Sequence, residues 1–110
     1  MVKPGDIYLV RSAKLGSCLD ARPCVVLAVF GETSLVYYMS SQFDCAIDAE
    51  IALLKTDPDF AASGLKKNSY IPQVDEIRKP TSELEKSKLL GHATGVFKKK
   101  IEELYGAPLD

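Results

Sequence analysis

The side chains with the most chemical potential fall in one stretch. Arg22 and Pro23 lead into an apolar run over 24–30, Gly31-Glu32-Thr33 follows, then a second run over 35–39, then Ser40-Ser41-Gln42. Two strands joined by a tight turn at Gly31 bring Arg22 and Ser40 to the same end of a hairpin. Arginine stays charged and offers a planar fork of donors that fits phosphate oxygens. Beside a hydroxyl pair on a sheet, it makes a seat for a phosphate. A phosphodiester of RNA carries its own nucleophile, the 2′-hydroxyl. A protein site then needs mainly to orient that group, help its proton leave and stabilise the charge on the crowded phosphorus. Arg22 suits the charge and Ser40 the orientation, without a metal. An Arg-Pro at a strand start also has a purely structural use, pairing with Asp20 or Asp6 across the sheet, and composition and spacing alone favour that use.

Other chemistries fit less well. His92 is the single histidine, so an acid–base pair of two histidines within one subunit is impossible. No serine or cysteine sits in a nucleophile signature, and His92 reads as a surface or capping residue. Asp44, Asp48, Glu50, Asp57 and Asp59 crowd one region but lack the spacing of a calcium loop, and read as solvent-facing. Cys18, Cys24 and Cys45 are odd in number and lack zinc-type spacing; Cys24 and Cys45 read as small apolar fillers in a reduced protein. Gly5, Gly16, Gly31 and Gly64 are isolated, so no phosphate-cradling loop is present. No metal and no cofactor is expected.

The elements that must position these residues follow from patterning. The chain has 110 residues, 46% hydrophobic and 26% charged, which suits one globular domain over 1–110 with little core to spare. The net charge of −1 argues against a dedicated nucleic-acid coat protein but is unevenly spread. Residues 1–65 hold five bases against eight acids, residues 66–100 nine against four, and residues 101–110 three acids and no base. The basic segment is weak evidence for an anionic partner. Met1-Val2-Lys3-Pro4 opens no apolar signal region and no run reaches membrane-spanning length, so a cytoplasmic protein with no membrane contact is expected.

Pro4-Gly5-Asp6 predicts a turn and Ile7-Tyr8-Leu9-Val10 a strand. Residues 11–21 read as a mobile loop. Pro23 reads as the start of the next strand, because it gives no N–H to a ladder; the run over 24–30 predicts a strand buried on both faces. Residues 43–50 read as an acidic loop, 51–54 as a strand, and 56–64 as a capped turn ended by glycine. Residues 69–74 predict a strand, 75–79 its continuation into a turn, and 82–91 are ambiguous. Phe97, Ile101, Leu104 and Tyr105 share one helical face, with Thr94 as N-cap and Gly106 as stop. The sum is a small, mainly β (α+β) protein: a mostly antiparallel curled sheet or barrel with short helices and a C-terminal helix.

The chain resembles the MazF/PemK family of bacterial type II toxin–antitoxin toxins. Lys3-Pro4-Gly5-Asp6-Ile7-Tyr8-Leu9-Val10 is like that family's first strand, and Arg22-Pro23 leads into its apolar second strand. Ser40-Ser41-Gln42 stands where relatives carry Thr-Thr-Gln, and Gly64-Leu65, Ser69-Tyr70-Ile71 and Ile77 follow as in its late strand. The resemblance implies an SH3-like antiparallel barrel, a homodimer, and metal-independent cleavage of single-stranded RNA to a cyclic phosphate and a free 5′-hydroxyl. It implies Arg22 and Ser40 as catalytic residues, with Asp20, Ser41 and Gln42 in support, and phosphate contacts from Lys66, Lys67 and Arg78. A cognate antitoxin with a disordered acidic tail is the implied protein partner. Relatives carry a glutamate in the loop before the arginine; Ser17 stands there, and Asp20 is the nearby acid. Two other readings share the barrel: a non-catalytic SH3-like binding module or degenerate toxin, and a gyrase poison like CcdB. The latter depends on a C-terminal tryptophan, and this chain has none.

Overall fold

The computed structural model describes residues 1–11, 21–40, 49–72 and 76–109. Along the chain these form β1 (Asp6–Arg11), β2 (Ala21–Phe30), β3 (Thr33–Tyr38), β4 (Ala49–Leu53), α1 (Phe60–Ser63), β5 (Ser69–Pro72), β6 (Ile77–Pro80), α2 (Thr81–Glu85), β7 (Lys88–His92) and α3 (Gly95–Tyr105). The protein is mainly antiparallel β, as its patterning predicts. One sheet has the order β6-β3-β2-β1-β7 and a second pairs β4 with β5. A bridge between Ser40 and Tyr70 joins them, each backbone N–H donating to the other's carbonyl at 2.9 and 2.8 Å. β3 is therefore flanked by β6 over Thr33–Val36 and by β5 just beyond its end. Among the described strands no ladder joins β4 to β7, so the hydrogen-bonded sheet is open.

Alternation along the central strands sorts their side chains onto two faces. Ile7, Val25, Leu27, Tyr37 and Met39 face one cluster, together with Ile51 and Leu53 of β4, Ile71 of β5, and Phe97 and Ile101 of α3. Tyr8, Val10, Cys24, Val26 and Val36 face the other, together with Val2 and with Leu84 of α2. Residues 24–27 of β2 are thus buried on both sides, the physical reason they lack a polar alternation, while the end of the predicted run is less covered and Phe30 is exposed.

Several local expectations change. Pro23 is the third residue of β2 and pairs with Leu9; its carbonyl still accepts the Met39 N–H at 2.9 Å, so only its own missing donor is lost. Of residues 75–79, expected to continue the preceding strand into a turn, 77–79 instead belong to β6 on the edge of β3. The ambiguous segment resolves into the single turn of α2 and then β7, which pairs with β1. Residues 12–20, 41–48 and 73–75 lie outside the described residues, and with them most of the acidic loop, Cys18 and Cys45, and the predicted loop before Arg22 except its ends, Arg11 and Ala21, which pair as strand instead. Cys24 is buried in the second cluster, an apolar filler as expected.

The C-terminal helix starts differently from its sequence signal. Thr94 occupies the N-cap position but makes no side-chain cap bond. Its hydroxyl instead donates to Asp59 Oδ1 at 3.0 Å, while Asp59 Oδ2 accepts the Phe97 N–H at 3.3 Å. An acid just before α1 therefore caps α3 from 35 residues away, satisfying one of the orphan donors of the first turn. Gly95, at φ +54°, leaves room for that carboxylate, which a Cβ there would overlap.

Candidate functional site

The β2–β3 hairpin aligns Arg22 with Ser40, and a bulge sets the alignment. Near the turn, Phe30 pairs with Thr33, Val29 with Ser34 and Ala28 with Leu35. The register then shifts, and Val26 pairs with Val36, Val25 with Tyr37 and Cys24 with Tyr38. The Met39 N–H to Pro23 carbonyl bond carries this second register one step further. Carried one residue beyond that bond, past the end of the β2–β3 ladder, the same register sets Arg22 opposite Ser40. Directly opposed residues hold their Cβ atoms about 5 Å apart. Both sit on the face of Cys24 and Tyr38, and both are half-buried. Without the extra residue at Leu27, Arg22 would oppose residue 41, and the paired faces would be exchanged.

A second cation shares this face. Lys79 pairs with Ser34 on β6, reaches over the Tyr38 ring at 5.6 Å from its centroid, and binds Glu83 Oε1 at 2.9 Å. Burial lowers the Lys79 pKa, but hydrogen bonds to Tyr38 and Glu83 outweigh it, and the ammonium is held above its ordinary value. Lys79 is therefore a fixed cation, not a proton acceptor. On the same face, burial pushes the Cys24 thiol up to about 12, with the Lys79 charge opposing weakly. That thiol is protonated and inert as a nucleophile.

Asp6 does not pair with Arg22. It lies at the opposite end of β1, across from His92, while Arg22 faces Val10. The Asp6 carboxylate is buried and meets His92 Nδ1 at 2.7 Å and the Lys3 N–H at 3.0 Å. It also raises the Tyr8 pKa, after burial itself, through its charge and a hydrogen bond. His92 is thus an exposed residue holding a buried acid. Asp20, Ser41 and Gln42 lie outside the described residues.

The basic residues divide. Arg78 pairs with Leu35, which packs on the first cluster, so it emerges on the sheet face opposite Arg22. Lys66 and Lys67 rim a half-open cleft of about 300 Å³. Lys88, not singled out from the sequence, is the third base of that rim, and Leu9, Pro23, Leu65 and Leu90 supply its apolar wall. The only sequence signal for Lys88 was its place in the basic segment; its position beside Leu9 depends on β7 being a strand.

Of the acids expected to face solvent, two have hydrogen-bond partners among the described residues. Asp57 accepts the Leu54 N–H at 2.8 Å, and Asp59 caps α3. Among the described residues no three His, Cys, Asp or Glu side chains gather as a metal site, and no helix is long and apolar enough to cross a membrane. No protein-family model matches the sequence, and no curated protein matches it.

Proposed function

We propose that this chain is a metal-independent endoribonuclease that cuts single-stranded RNA, the toxin of a type II toxin–antitoxin pair of the MazF/PemK kind. The observation that supports it is the Arg22–Ser40 register across β2 and β3, a fork of fixed charge beside a hydroxyl on one face. The two joined sheets are read as an SH3-like barrel. In the reaction the 2′-oxygen bonds to phosphorus and the P–O5′ bond breaks. One proton leaves the 2′-oxygen and one arrives at the 5′-oxygen, so the products are a cyclic phosphate and a 5′-hydroxyl and no water is consumed. Arg22 binds the non-bridging oxygens, where charge grows in the transition state, and the Ser40 hydroxyl holds the phosphate in line for attack. The chain acts in the cytoplasm as a homodimer and is silenced by an antitoxin whose acidic tail covers the site.

The test is cleavage of single-stranded RNA in EDTA. The wild-type protein is expected to cut, and Arg22→Ala to lose roughly 10²–10³ in rate with stability unchanged to within about 0.5 kcal/mol. Full activity in folded Arg22→Ala would remove Arg22 from the reaction. RNA bound but uncut by the wild-type protein over hours would make the chain a binding module on the same scaffold.

A further inference from the structure

Arg22 and Ser40 are two members of a longer row. Val10 of β1 pairs with Arg22, and the β2–β3 register carried past its ladder sets Arg22 opposite Ser40. Ser40 bridges to Tyr70 of β5, and Tyr70 pairs with Ala52 of β4. Directly paired residues point to the same side of a sheet. Burial agrees with this placement. Met39, Ile71, Ile51 and Leu53, the chain neighbours of Ser40, Tyr70 and Ala52, all belong to the first cluster, so the row stands on the other face. Cover is uneven along it: Val10 is fully buried, whereas Arg22, Ser40, Tyr70 and Ala52 are half-buried.

Tyr70 therefore stands one strand beyond Ser40 and two beyond Arg22, about 5 and 10 Å away across the sheet. The paired backbone bonds of the bridge, at 2.9 and 2.8 Å, fix that offset. On its other side the register partner Ala52 offers only a methyl group. A second ring, Tyr38, lies on the same face one pair along, opposite Cys24. That ring is already taken: Lys79 lies over it at 5.6 Å from the centroid and is tied to Glu83 at 2.9 Å. The Glu83 side chain is 43% exposed, and its charge repels a phosphate strand on that side. The partners of Tyr70, Ser40 and Ala52, carry no charge. Of the two rings beside the seat, Tyr70 is the one open to a flat ligand.

We infer that Tyr70 is the platform on which the base beside the scissile phosphate stacks, while Arg22 and Ser40 hold that phosphate. That the strand is single-stranded RNA rests on the ribonuclease reading; a splayed single-stranded base reaches an aromatic ring, and a base paired in a helix does not. Every base has a π-face, so stacking on Tyr70 is tolerant of sequence. The ring adds affinity and fixes the angle of the sugar next to the reacting phosphorus, and it leaves base identity unread.

The chain has no tryptophan, so Tyr70→Trp places a single indole at the platform. Its fluorescence is expected to be quenched by a 2′-O-methyl oligonucleotide, whose blocked nucleophile prevents cleavage. An abasic site on one side of the cleavage point is expected to abolish that quenching. Phe30→Trp, exposed at the far end of β2, is expected to stay bright. Tyr70→Ala is expected to bind the same strand roughly 5–150-fold more weakly, and Tyr70→Phe, which keeps the ring and loses the hydroxyl, to bind like wild type. Tyr70→Trp that binds the strand unquenched, quenching no greater than in Phe30→Trp, or Tyr70→Phe as weak as folded Tyr70→Ala would overturn the platform. Cleavage of the all-ribose strand in EDTA, run alongside, separates the two readings. Quenching without cleavage keeps the platform and removes the ribonuclease; folded Tyr70→Ala that binds and cleaves like wild type does the reverse. A wild-type protein that does not bind the strand removes both.

Discussion

Replacing Asp59 by alanine tests how α1 and α3 hold each other, and the structure supplies the size of the effect. The carboxylate accepts the Phe97 N–H and the Thr94 hydroxyl. Loss of an N-terminal cap costs about 0.5–2 kcal/mol, and loss of a negative charge at a helix N-terminus about 0.3–1 kcal/mol. Asp59→Ala is therefore expected to cost about 1–3 kcal/mol, and Asp59→Asn, which keeps an acceptor, less than about 1 kcal/mol. Gly95→Ala adds a second arm. Its cost has a backbone part, from φ +54°, and a steric part, from overlap with the Asp59 carboxylate. The backbone part is about 1 kcal/mol and persists in any background; the steric part vanishes once Asp59 is alanine. The double variant should thus be more stable than the sum of the single losses by about 1 kcal/mol or more. Urea unfolding of the four proteins measures this, with equal m-values as the check that the unfolded states match. Additivity to within about 0.5 kcal/mol, or a loss below about 0.3 kcal/mol for Asp59→Ala, would refute the trans cap. The outcome bears on the cleft as well, because Asp59 anchors the segment whose other end frames it.

Two further expectations concern buried ionisable groups. Burial raises the Cys24 thiol from 9.0 to about 12, so above pH 9 the unfolded chain releases a proton that the folded chain keeps, and stability falls as pH rises toward 12. At about 1.4 kcal/mol per pH unit the loss is on the order of 4 kcal/mol across that window, and the raised Tyr8 and Lys79 values act in the same direction. Urea midpoints from pH 8 upward check it; a slope unchanged in Cys24→Ala would refute the thiol's share. Asp6→Ala strands the Lys3 N–H and the Tyr8 hydroxyl beside a side chain that is 6% exposed, an expected cost of about 1–3 kcal/mol. His92→Ala, at a ring that is 60% exposed, should cost less than Asp6→Ala, and thermal melts giving the reverse order would refute Asp6 as the anchor of that end of β1.

The local elements were legible where one physical signal dominated. The apolar run from Cys24 marked a strand covered on both sides as far as Leu27, though not at exposed Phe30, and Phe97, Ile101, Leu104 and Tyr105 marked the packed face of α3. Legibility failed where the deciding partner was distant. Residues 75–79 read as the preceding strand running into a turn, but Ile77–Pro80 is a strand of its own whose pairing comes from β3. Thr94 read as a cap because a hydroxyl before a helix usually is one, but Asp59, a stronger acceptor folded in from elsewhere, takes both the hydroxyl and the free N–H. Lys88 could not be paired with Lys66 and Lys67 without knowing that α1 crosses β7.

By itself the sequence determined that a hairpin carries Arg22 and a serine pair at one end, because a glycine turn between two apolar runs leaves little else for that stretch to do. It did not determine which serine faces the arginine. Side chains alternate with a period of two, so one extra residue decides both the partner and the face. The bulge at Leu27 inserts that residue. It is stable there because Leu27 is buried in the first cluster, a contact assembled from β4, β5 and α3, so the alignment of Arg22 with Ser40 belongs to the tertiary structure alone.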